Sequence, residues 1–186
     1  MINNDVFESL KGFNIRLKSR PGVFSKNKID EGSRLLIENV EIKNGTLIAD
    51  LGCGSGIIGI IAAKLNPKGH VDLFDVNLRM IELSKTNIEL NQVKNAEVFI
   101  SDLFSAVGDK NYHQILSNPP LHLGNDFLNE CMSECYKHLK PESSVVLVVQ
   151  KHLKPYVEKL LESYFGNSKV VARGQKHIVI KAERSN

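Results

Sequence analysis

The glycine-rich segment ADLGCGSGIIGI, residues 49–60, constrains the fold of this chain more than any other feature of its sequence. It follows an apolar run at residues 46–48. Apolar residues at helical spacing come after it: Ile57, Ile60, Ile61 and Leu65. The order indicates a strand, a glycine turn and a helix. Because glycines let the backbone approach a ligand and a helix N-terminus offers free N–H groups, the segment predicts a nucleotide-like ligand.

The nature of that ligand depends on Asp50. Residues 54–59 match the dinucleotide fingerprint G-x-G-x-x-G, a signal that is weak by itself. A carboxylate at the end of the strand would repel the pyrophosphate of NAD and would favour a cationic ligand. S-adenosylmethionine carries a sulfonium and an ammonium group and no phosphate. The segment therefore favours S-adenosylmethionine over a dinucleotide.

The residues DLGCGSG at 50–56 resemble the D-x-G-x-G-x-G motif of class I S-adenosylmethionine-dependent methyltransferases. The resemblance implies S-adenosylmethionine as cofactor. It also implies that the residues of this motif contact the cofactor: Asp50, Gly52, Gly54 and Gly56.

A regular alternation of strand and helix patterns follows the glycine segment. The predicted strands are residues 46–51, 71–74, 96–100, 112–116, 144–149, 169–172 and 177–181. The predicted helices are residues 55–65, 77–90, 126–138 and 153–164. Such an alternation predicts a parallel sheet with right-handed crossovers. We expect a doubly wound, Rossmann-like α/β fold whose seven-stranded sheet is mostly parallel with the last strand antiparallel.

The domain organisation is expected to be one methyltransferase domain over residues 1–186. Residues 44–186 would form the cofactor-binding core, and residues 1–43 an extension that packs on it. Within the extension, residues 11–20 alternate as a short strand does, and an amphipathic helix begins near Asp30.

Compartment and assembly follow from what the sequence lacks. It contains no apolar run long enough to cross a membrane and no signal-peptide pattern at its start. Its three cysteines do not make a disulfide framework. We expect a cytoplasmic protein without membrane partners, and a monomer is favoured.

The cysteines also raise the question of a metal site. Cys131, Cys135 and His138 share one face of a predicted helix, but a fourth ligand is missing. Helix packing is the preferred interpretation, and no metal is expected.

Polar residues recur where the predicted strands end, which is where open α/β sheets bind ligands. Asp75 stands at the spacing at which an acid meets ribose hydroxyls, although it can also cap the helix at 77–90. The methyltransferase resemblance implies that Asp102 accepts a hydrogen bond from the adenine amino group and that Leu103 donates a backbone N–H. The alternative for Asp102 is an ordinary turn residue.

The segment SNPPLHLG, residues 117–124, is the most informative about chemistry. Pro119 and Pro120 remove N–H donors directly after a strand, which leaves carbonyls and the Asn118 side-chain oxygen as acceptors. An amino group needs two such acceptors to orient its lone pair toward a methyl donor. Since a sulfonium is already activated, methyl transfer requires mainly positioning and electrostatics. We predict Asn118, Pro119 and Pro120 as the catalytic residues, with Asn118 also near the cofactor.

This segment resembles the N/D-P-P-aromatic motif of methyltransferases that modify amino nitrogens. The longer form N-P-P-F-H-x-G and the segment GVFS at 22–25 resemble the small-subunit ribosomal RNA guanine-N2 methyltransferases, here in a single-domain form from about residue 13 onward. The resemblance implies acceptor contacts from Leu121, His122 and Phe24. Leu121 replaces the aromatic residue that would stack on the base, so Phe24 and Phe104 are candidates for that ring.

The charge distribution suits RNA as a partner. The net charge is only +3, from 24 Lys and Arg against 21 Asp and Glu. Two basic patches stand out: Lys11, Arg16, Lys18, Arg20, Lys26 and Lys28 in one, and Lys169, Arg173, Lys176, Lys181 and Arg184 in the other. Such patches fit a polyanion, and the alternative is an ordinary solvated surface.

The function predicted from these observations is methylation of an exocyclic amino group, chiefly guanine N2 of ribosomal RNA. Two alternatives remain at this point. One is a protein glutamine N-methyltransferase, and the other is a relative that binds cofactor or RNA without catalysing.

Overall fold

The computed structural model describes residues 5–18, 29–120 and 123–186. An antiparallel hairpin comes first, formed by strands β1 (Asp5–Leu10) and β2 (Phe13–Lys18). A seven-stranded sheet with flanking helices follows. Its strands are β3 (Leu47–Leu51), β4 (His70–Asp75), β5 (Ala96–Ile100), β6 (Tyr112–Ser117), β7 (Leu139–Gln150), β8 (Lys169–Arg173) and β9 (His177–Arg184). The helices are α1 (Glu31–Asn39), α2 (Ile57–Leu65), α3 (Leu78–Leu90), α4 (Gly124–His138) and α5 (Lys154–Phe165).

The large sheet has the strand order β5-β4-β3-β6-β7-β9-β8. Pairing is parallel from β5 through β7, whereas β9 runs antiparallel to both of its neighbours. The predicted doubly wound, mostly parallel sheet with an antiparallel last strand is therefore confirmed. The order reverses beside β3, so the carboxyl ends of β3 and β6 form the crevice in which such folds bind ligands.

The core lies on both faces of the sheet because the central strands are apolar throughout. In β7, the run VVLVV at residues 145–149 is fully covered, as expected for a β-branched strand between two layers of helices. Alternate residues point to opposite faces, so Val146 and Val148 join one buried cluster while Val145 and Leu147 join the other.

Helix α2 approaches the sheet closely because Gly59 faces β4. A Cβ atom at Gly59 would lie 2.5 Å from Cδ2 of Leu73, a fully buried side chain. Only glycine therefore allows this distance between helix and strand. The close packing holds the start of α2, and with it the glycine loop, against the carboxyl end of β4.

The amino-terminal hairpin goes beyond the sequence prediction. The strand expected within residues 11–20 is β2, and β1 was not anticipated. Val6, Leu10, Ile15 and Leu17 bury one face of the hairpin in the core. Among the described residues, no helix combines the length and apolarity needed to cross a membrane.

Substituting Gly59→Ala tests the contact between α2 and β4. Helix propensity favours alanine by about 1 kcal/mol, but overpacking costs about 1–3 kcal/mol. We expect the free energy of unfolding to fall in a urea titration. In a Leu73→Ala background the clash is gone, so the same substitution should be neutral or stabilising. An equal loss in both backgrounds would contradict the packing argument.

Candidate active site

A cavity of about 1070 Å³ opens at the carboxyl ends of the central strands. Its lining includes much of the predicted site: Gly52, Gly54, Asp75, Asp102, Leu103, Asn118, Pro119 and Pro120. The parallel register explains the meeting of the two main motifs. Leu51 pairs with Ser117, so the glycine loop and the Asn-Pro-Pro segment leave neighbouring strands side by side.

The glycine loop between β3 and α2 is held by the end of β4. Both Gly52 and Cys53 donate their backbone N–H to the carbonyl of Phe74, at 2.9 Å each. Gly52 and Gly54 have φ values of +73° and +55°, and a Cβ at either would meet no atom within 4 Å. This side of the loop is therefore open backbone, which a ligand can approach closely.

Gly56 has a different place from the other two loop glycines. It is the N-cap of α2 with a φ of +82°, and a Cβ there would lie 3.1 Å from Oγ of Ser84. Gly56 is not among the described residues that line the cavity. Its contribution is to turn the chain into the helix where α3 leaves little room.

Asp75 orders the loop and also faces the cavity. One carboxylate oxygen accepts the N–H of Gly54 at 3.0 Å, and the other accepts the N–H of Asn77 at 2.9 Å. The helix N-cap is Asn77, whose side chain accepts from Arg79 N, so the capping role considered for Asp75 belongs to its neighbour. Each carboxylate oxygen retains a lone pair, which suits the two hydroxyls of a ribose.

Asp50 lies beneath the glycine loop, with none of its side chain exposed. One oxygen accepts the N–H of Gly59 at 2.8 Å, and the other has no hydrogen-bond partner in the described part of the chain. Burial raises the pKa of Asp50 to about 7, against the Gly59 hydrogen bond, which lowers it. Asp50 is not among the described lining residues, which differs from the expectation that its carboxylate faces the ligand.

Asn118 is held in one orientation by helix α1. Its amide nitrogen donates to Oδ1 of Asp30 at 3.0 Å and to Oγ of Ser33 at 3.1 Å. Because the carboxylate of Asp30 can only accept, flipping the amide would lose this bond and set two oxygen acceptors against each other, so Asp30 fixes the orientation. The side-chain oxygen accepts no hydrogen bond from the described residues. It is left as an acceptor in the cavity wall.

The start of α1 is built for this contact. Asp30 is the N-cap of α1 and accepts Ser33 N at 2.8 Å with the same oxygen that binds Asn118. A Cβ at Gly32 would lie 3.4 Å from the Asn118 amide nitrogen and 3.4 Å from the His177 ring. The sequence pattern indicates Asp30 only as a helix start, since a capping pattern does not show a second partner from a distant strand.

The two prolines after Asn118 form a turn. Pro119 is buried, and the carbonyl of Pro120 accepts the N–H of Leu123 at 3.1 Å. The carbonyl of Pro119 receives no hydrogen bond from the described residues. One backbone carbonyl and the Asn118 oxygen are thus available as acceptors, whereas Pro120 is engaged in the turn.

The turn after β5 brings Asp102 and Leu103 to the cavity. Asp102 is exposed, and Leu103 takes a left-handed conformation with a φ of +48°. Ser101 braces this turn, since its hydroxyl donates to the carbonyl of Leu103 and accepts the N–H of Ala106.

The ring that would replace the missing aromatic residue is not Phe104. That side chain is 2% exposed, lies 4.4 Å from the His138 ring between centroids, and packs edge-on against Phe74. Phe104 is therefore part of the core beneath the site, and the prediction that its ring could stack on the base is wrong. Leu121, His122 and Phe24 lie outside the described residues. Helix α4 contributes an aromatic side chain, Phe127, to the described part of the cavity wall.

The structure also shows the surroundings of the two cysteines and the histidine of α4 that share one helix face. Cys131 and Cys135 are buried, and the hydrogen bond with the Cys131 thiol, together with burial, raises the pKa of Cys135. Nδ1 of His138 lies 2.8 Å from the carbonyl of Lys110. These contacts are those of packed core residues.

Several residues that line the cavity were not predicted from the sequence to lie there. They are Lys18, Ser33, Gln150 and His177, which come from four different elements or their ends. No short motif joins them, since the chain positions are far apart. Three carboxylates line the cavity, those of Asp30, Asp75 and Asp102, and Lys18 is the one Lys or Arg among the described lining residues.

The raised pKa of Asp50 predicts a pH-dependent stability. Between the unfolded value of 3.8 and the folded value of about 7, the folded protein holds a proton that the unfolded chain has lost. The contribution of Asp50 to the free energy of unfolding is therefore fully present below pH 3.8. It is lost as the pH rises through about 7. Asp50→Asn stays neutral and keeps an acceptor for Gly59 N. Its free energy of unfolding, measured in urea, should therefore improve relative to wild type from pH 5 to pH 8.

The expected difference in this experiment is on the order of a few kcal/mol. Exposed Asp109→Asn is the control and should show no such trend. A constant difference between Asp50→Asn and wild type at both pH values would show that Asp50 does not titrate in this range.

Comparison with known proteins identifies relatives that are similar to this chain in sequence. At 36% identity over 172 residues it resembles the ribosomal RNA small subunit methyltransferase C of Hamiltonella defensa, matching 90% of this chain and 50% of that protein. It is also 36% identical over 180 residues to the uncharacterized protein YbxB of Bacillus subtilis, matching 94% and 89% of the two chains. The chain thus spans about half the length of the relatives named methyltransferase C.

A solved structure shares the fold over nearly the whole chain. It is the T. thermophilus 16S rRNA N2 G1207 methyltransferase (RsmC), solved in complex with AdoMet and guanosine. The TM-score is 0.87 at 26% identity, with 97% of this chain and 50% of that chain covered. The sequence profile of the methyltransferase small domain matches residues 14–181. Both motifs and every described lining residue of the cavity except Val6 lie within this match, and the chain belongs to the methyltransferase small domain family.

Proposed function

We propose that this protein transfers a methyl group from S-adenosylmethionine to guanine N2 of ribosomal RNA. The observation that carries the proposal is the fixed amide of Asn118. Asp30 and Ser33 hold its nitrogen, so its oxygen faces the cavity as an acceptor. An exocyclic amino group has two protons to donate and needs acceptors of this kind.

The cofactor half of the cavity fits S-adenosylmethionine. The open backbone at Gly52 and Gly54 is a cradle that a Cβ would fill, and Asp75 offers its remaining lone pairs beside it. The exposed carboxylate of Asp102 adds negative potential. A sulfonium and an ammonium group suit this environment, whereas a pyrophosphate would meet carboxylates and a single lysine.

The acceptor half supplies orientation more than acid–base chemistry. When bound, S-adenosylmethionine supplies a methyl group that is already activated on sulfur. The Asn118 oxygen and the Pro119 carbonyl would each accept a hydrogen bond from one N–H of the amino group, which orients its lone pair toward the place of the methyl carbon. Transfer would exchange the methyl–sulfur bond for a methyl–nitrogen bond, with S-adenosylhomocysteine as the leaving group. The two fixed oxygens would stabilise the positive charge on the nitrogen until its extra proton passes to solvent. Helix α1 keeps the geometry ready before the acceptor arrives.

The choice of RNA as acceptor rests on similarity and charge. The relatives named methyltransferase C act, by their names, on ribosomal RNA of the small subunit, and the structural neighbour is described with guanosine. The basic hairpin residues Lys11, Arg16 and Lys18 are exposed.

The decisive experiment is a labelled methyl-transfer assay on unmodified ribosomal RNA and, in parallel, on a protein extract. We expect label in RNA, recovered as N2-methylguanosine after digestion and chromatography. Label on glutamine instead would favour the protein-directed alternative. Transfer to neither, with intact binding of S-adenosylmethionine by calorimetry, would indicate a non-catalytic relative.

Asn118→Ala should lower the methyl-transfer rate by about 100- to 1,000-fold, by analogy with the loss of one preorganised polar group. Asn118→Asp keeps an acceptor oxygen and should retain partial activity. Calorimetry should show that neither variant loses the cofactor. If Asn118→Ala works as fast as wild type, the segment is a structural turn and the mechanism is wrong.

Ser33→Ala tests whether α1 orients Asn118. Losing one hydrogen bond worth about 0.5–1.5 kcal/mol should lower kcat by about 2- to 13-fold. Ser143→Ala is the matched control, since Ser143 is buried to the same degree and lies on β7. Equal kcat values for Ser33→Ala and the control would assign Ser33 a structural role only.

A further inference from the structure

The outer face of the amino-terminal hairpin carries an exposed aromatic ring. Phe7 is 71% exposed, the largest exposure among the described large apolar side chains. The inner face is apolar and buried, so the exposure of Phe7 is not a by-product of poor packing. Aromatic side chains are enriched at binding surfaces relative to the rest of a protein surface.

The neighbours of Phe7 on this face are basic and polar. Phe7 pairs across the hairpin with Arg16, whose guanidinium lies 5.8 Å from the ring centroid. Lys18 follows on the same face, and the exposed side chains of Ser9 and Asn14 complete it. Asp5 is the carboxylate of this face, and it pairs with Arg16 at 2.6 Å. Lys18 forms no ion pair with the described residues.

The hairpin is also fixed relative to the active site. The Asn91 side chain accepts Arg16 N and donates to Arg16 O, and Asn87 accepts Lys18 N. The other end of the Asn87 amide donates to the carbonyl of Ser55 in the glycine loop. These bonds occupy the outer edge of β2 and connect it to the cofactor loop. Lys18 itself lines the cavity, so the face runs directly into its mouth.

We infer that this face, Phe7 with Arg16 and Lys18, binds the single-stranded RNA that flanks the methylated nucleotide. A base stacks on Phe7, and the two cations contact the adjoining phosphates. Aromatic rings interleaved with basic residues are the means by which proteins hold single strands, since every base has a face to stack. The positive charges of Arg16 and Lys18 complement the phosphates of RNA, and this face of the hairpin is continuous with the cavity. Both observations favour RNA over a protein as the partner. The inference rests on the proposed function.

The test uses the full chain and a fluorescein-labelled single-stranded RNA of about 20 nucleotides that contains guanines. Phe7→Ala should raise the Kd in fluorescence anisotropy by about 5- to 150-fold, the range of one lost stacking contact. Phe7→Trp should retain affinity. Lys18→Gln should reduce the log–log salt slope by about 0.7, the value for one phosphate contact to a single strand. Val171→Ala, an exposed apolar control on β8, should change neither quantity.

The readouts separate the surface from the activity. Calorimetry should show unchanged binding of S-adenosylmethionine by Phe7→Ala, which confirms that the variant is folded. If wild type methylates RNA but Phe7→Ala binds it equally well, the surface assignment fails and the proposed function stands. If wild type neither binds nor methylates RNA, both fail. A change of mass in light scattering on Phe7→Ala, without a change in RNA affinity, would make the face a contact between copies of this chain and overturn the inference.

Discussion

The hydrogen bond between the buried Asp50 carboxylate and the N–H of Gly59 is the interaction on which the site depends. It joins the end of β3 to the first turns of α2, across the loop that they enclose. The loop can therefore keep Gly52 and Gly54 open to the cavity without support from a ligand. A buried carboxylate with a pKa of about 7 is costly, and a cation above the loop would favour its charged form.

Helix α1 gives the site its second half. Its N-cap, Asp30, satisfies both the helix and the amide of Asn118, so one carboxylate oxygen connects an amino-terminal helix to the end of a central strand. Because Gly32 leaves just enough room, the contact is short and direct. The extension before residue 44 thus takes part in the candidate site, in addition to packing on the core.

Helix α3 connects the remaining parts. Ser84 donates to the carbonyl of Gly54, and Asn87 binds both Ser55 and the backbone of β2. The cofactor loop and the hairpin are therefore attached to one rigid element. In our proposal, this rigid connection fixes the position of the bound RNA relative to the bound methyl donor.

The sequence by itself determined the sheet, its helices and the edge at which ligands bind. The reason is that strand and helix periodicities, glycines with positive φ and polar residues at strand ends are all local signals. It also identified Asp75, Asp102 and Asn118, which the fold brings to one cavity. Only the tertiary structure decided that Asp50 lies under the loop, that Phe104 is a core ring, and that Ser33, Lys18 and His177 line the site. These positions depend on contacts between residues as many as 145 positions apart, such as the bond from Lys176 N to Glu31 beside the contact of Gly32 with His177, and no local pattern encodes such a contact.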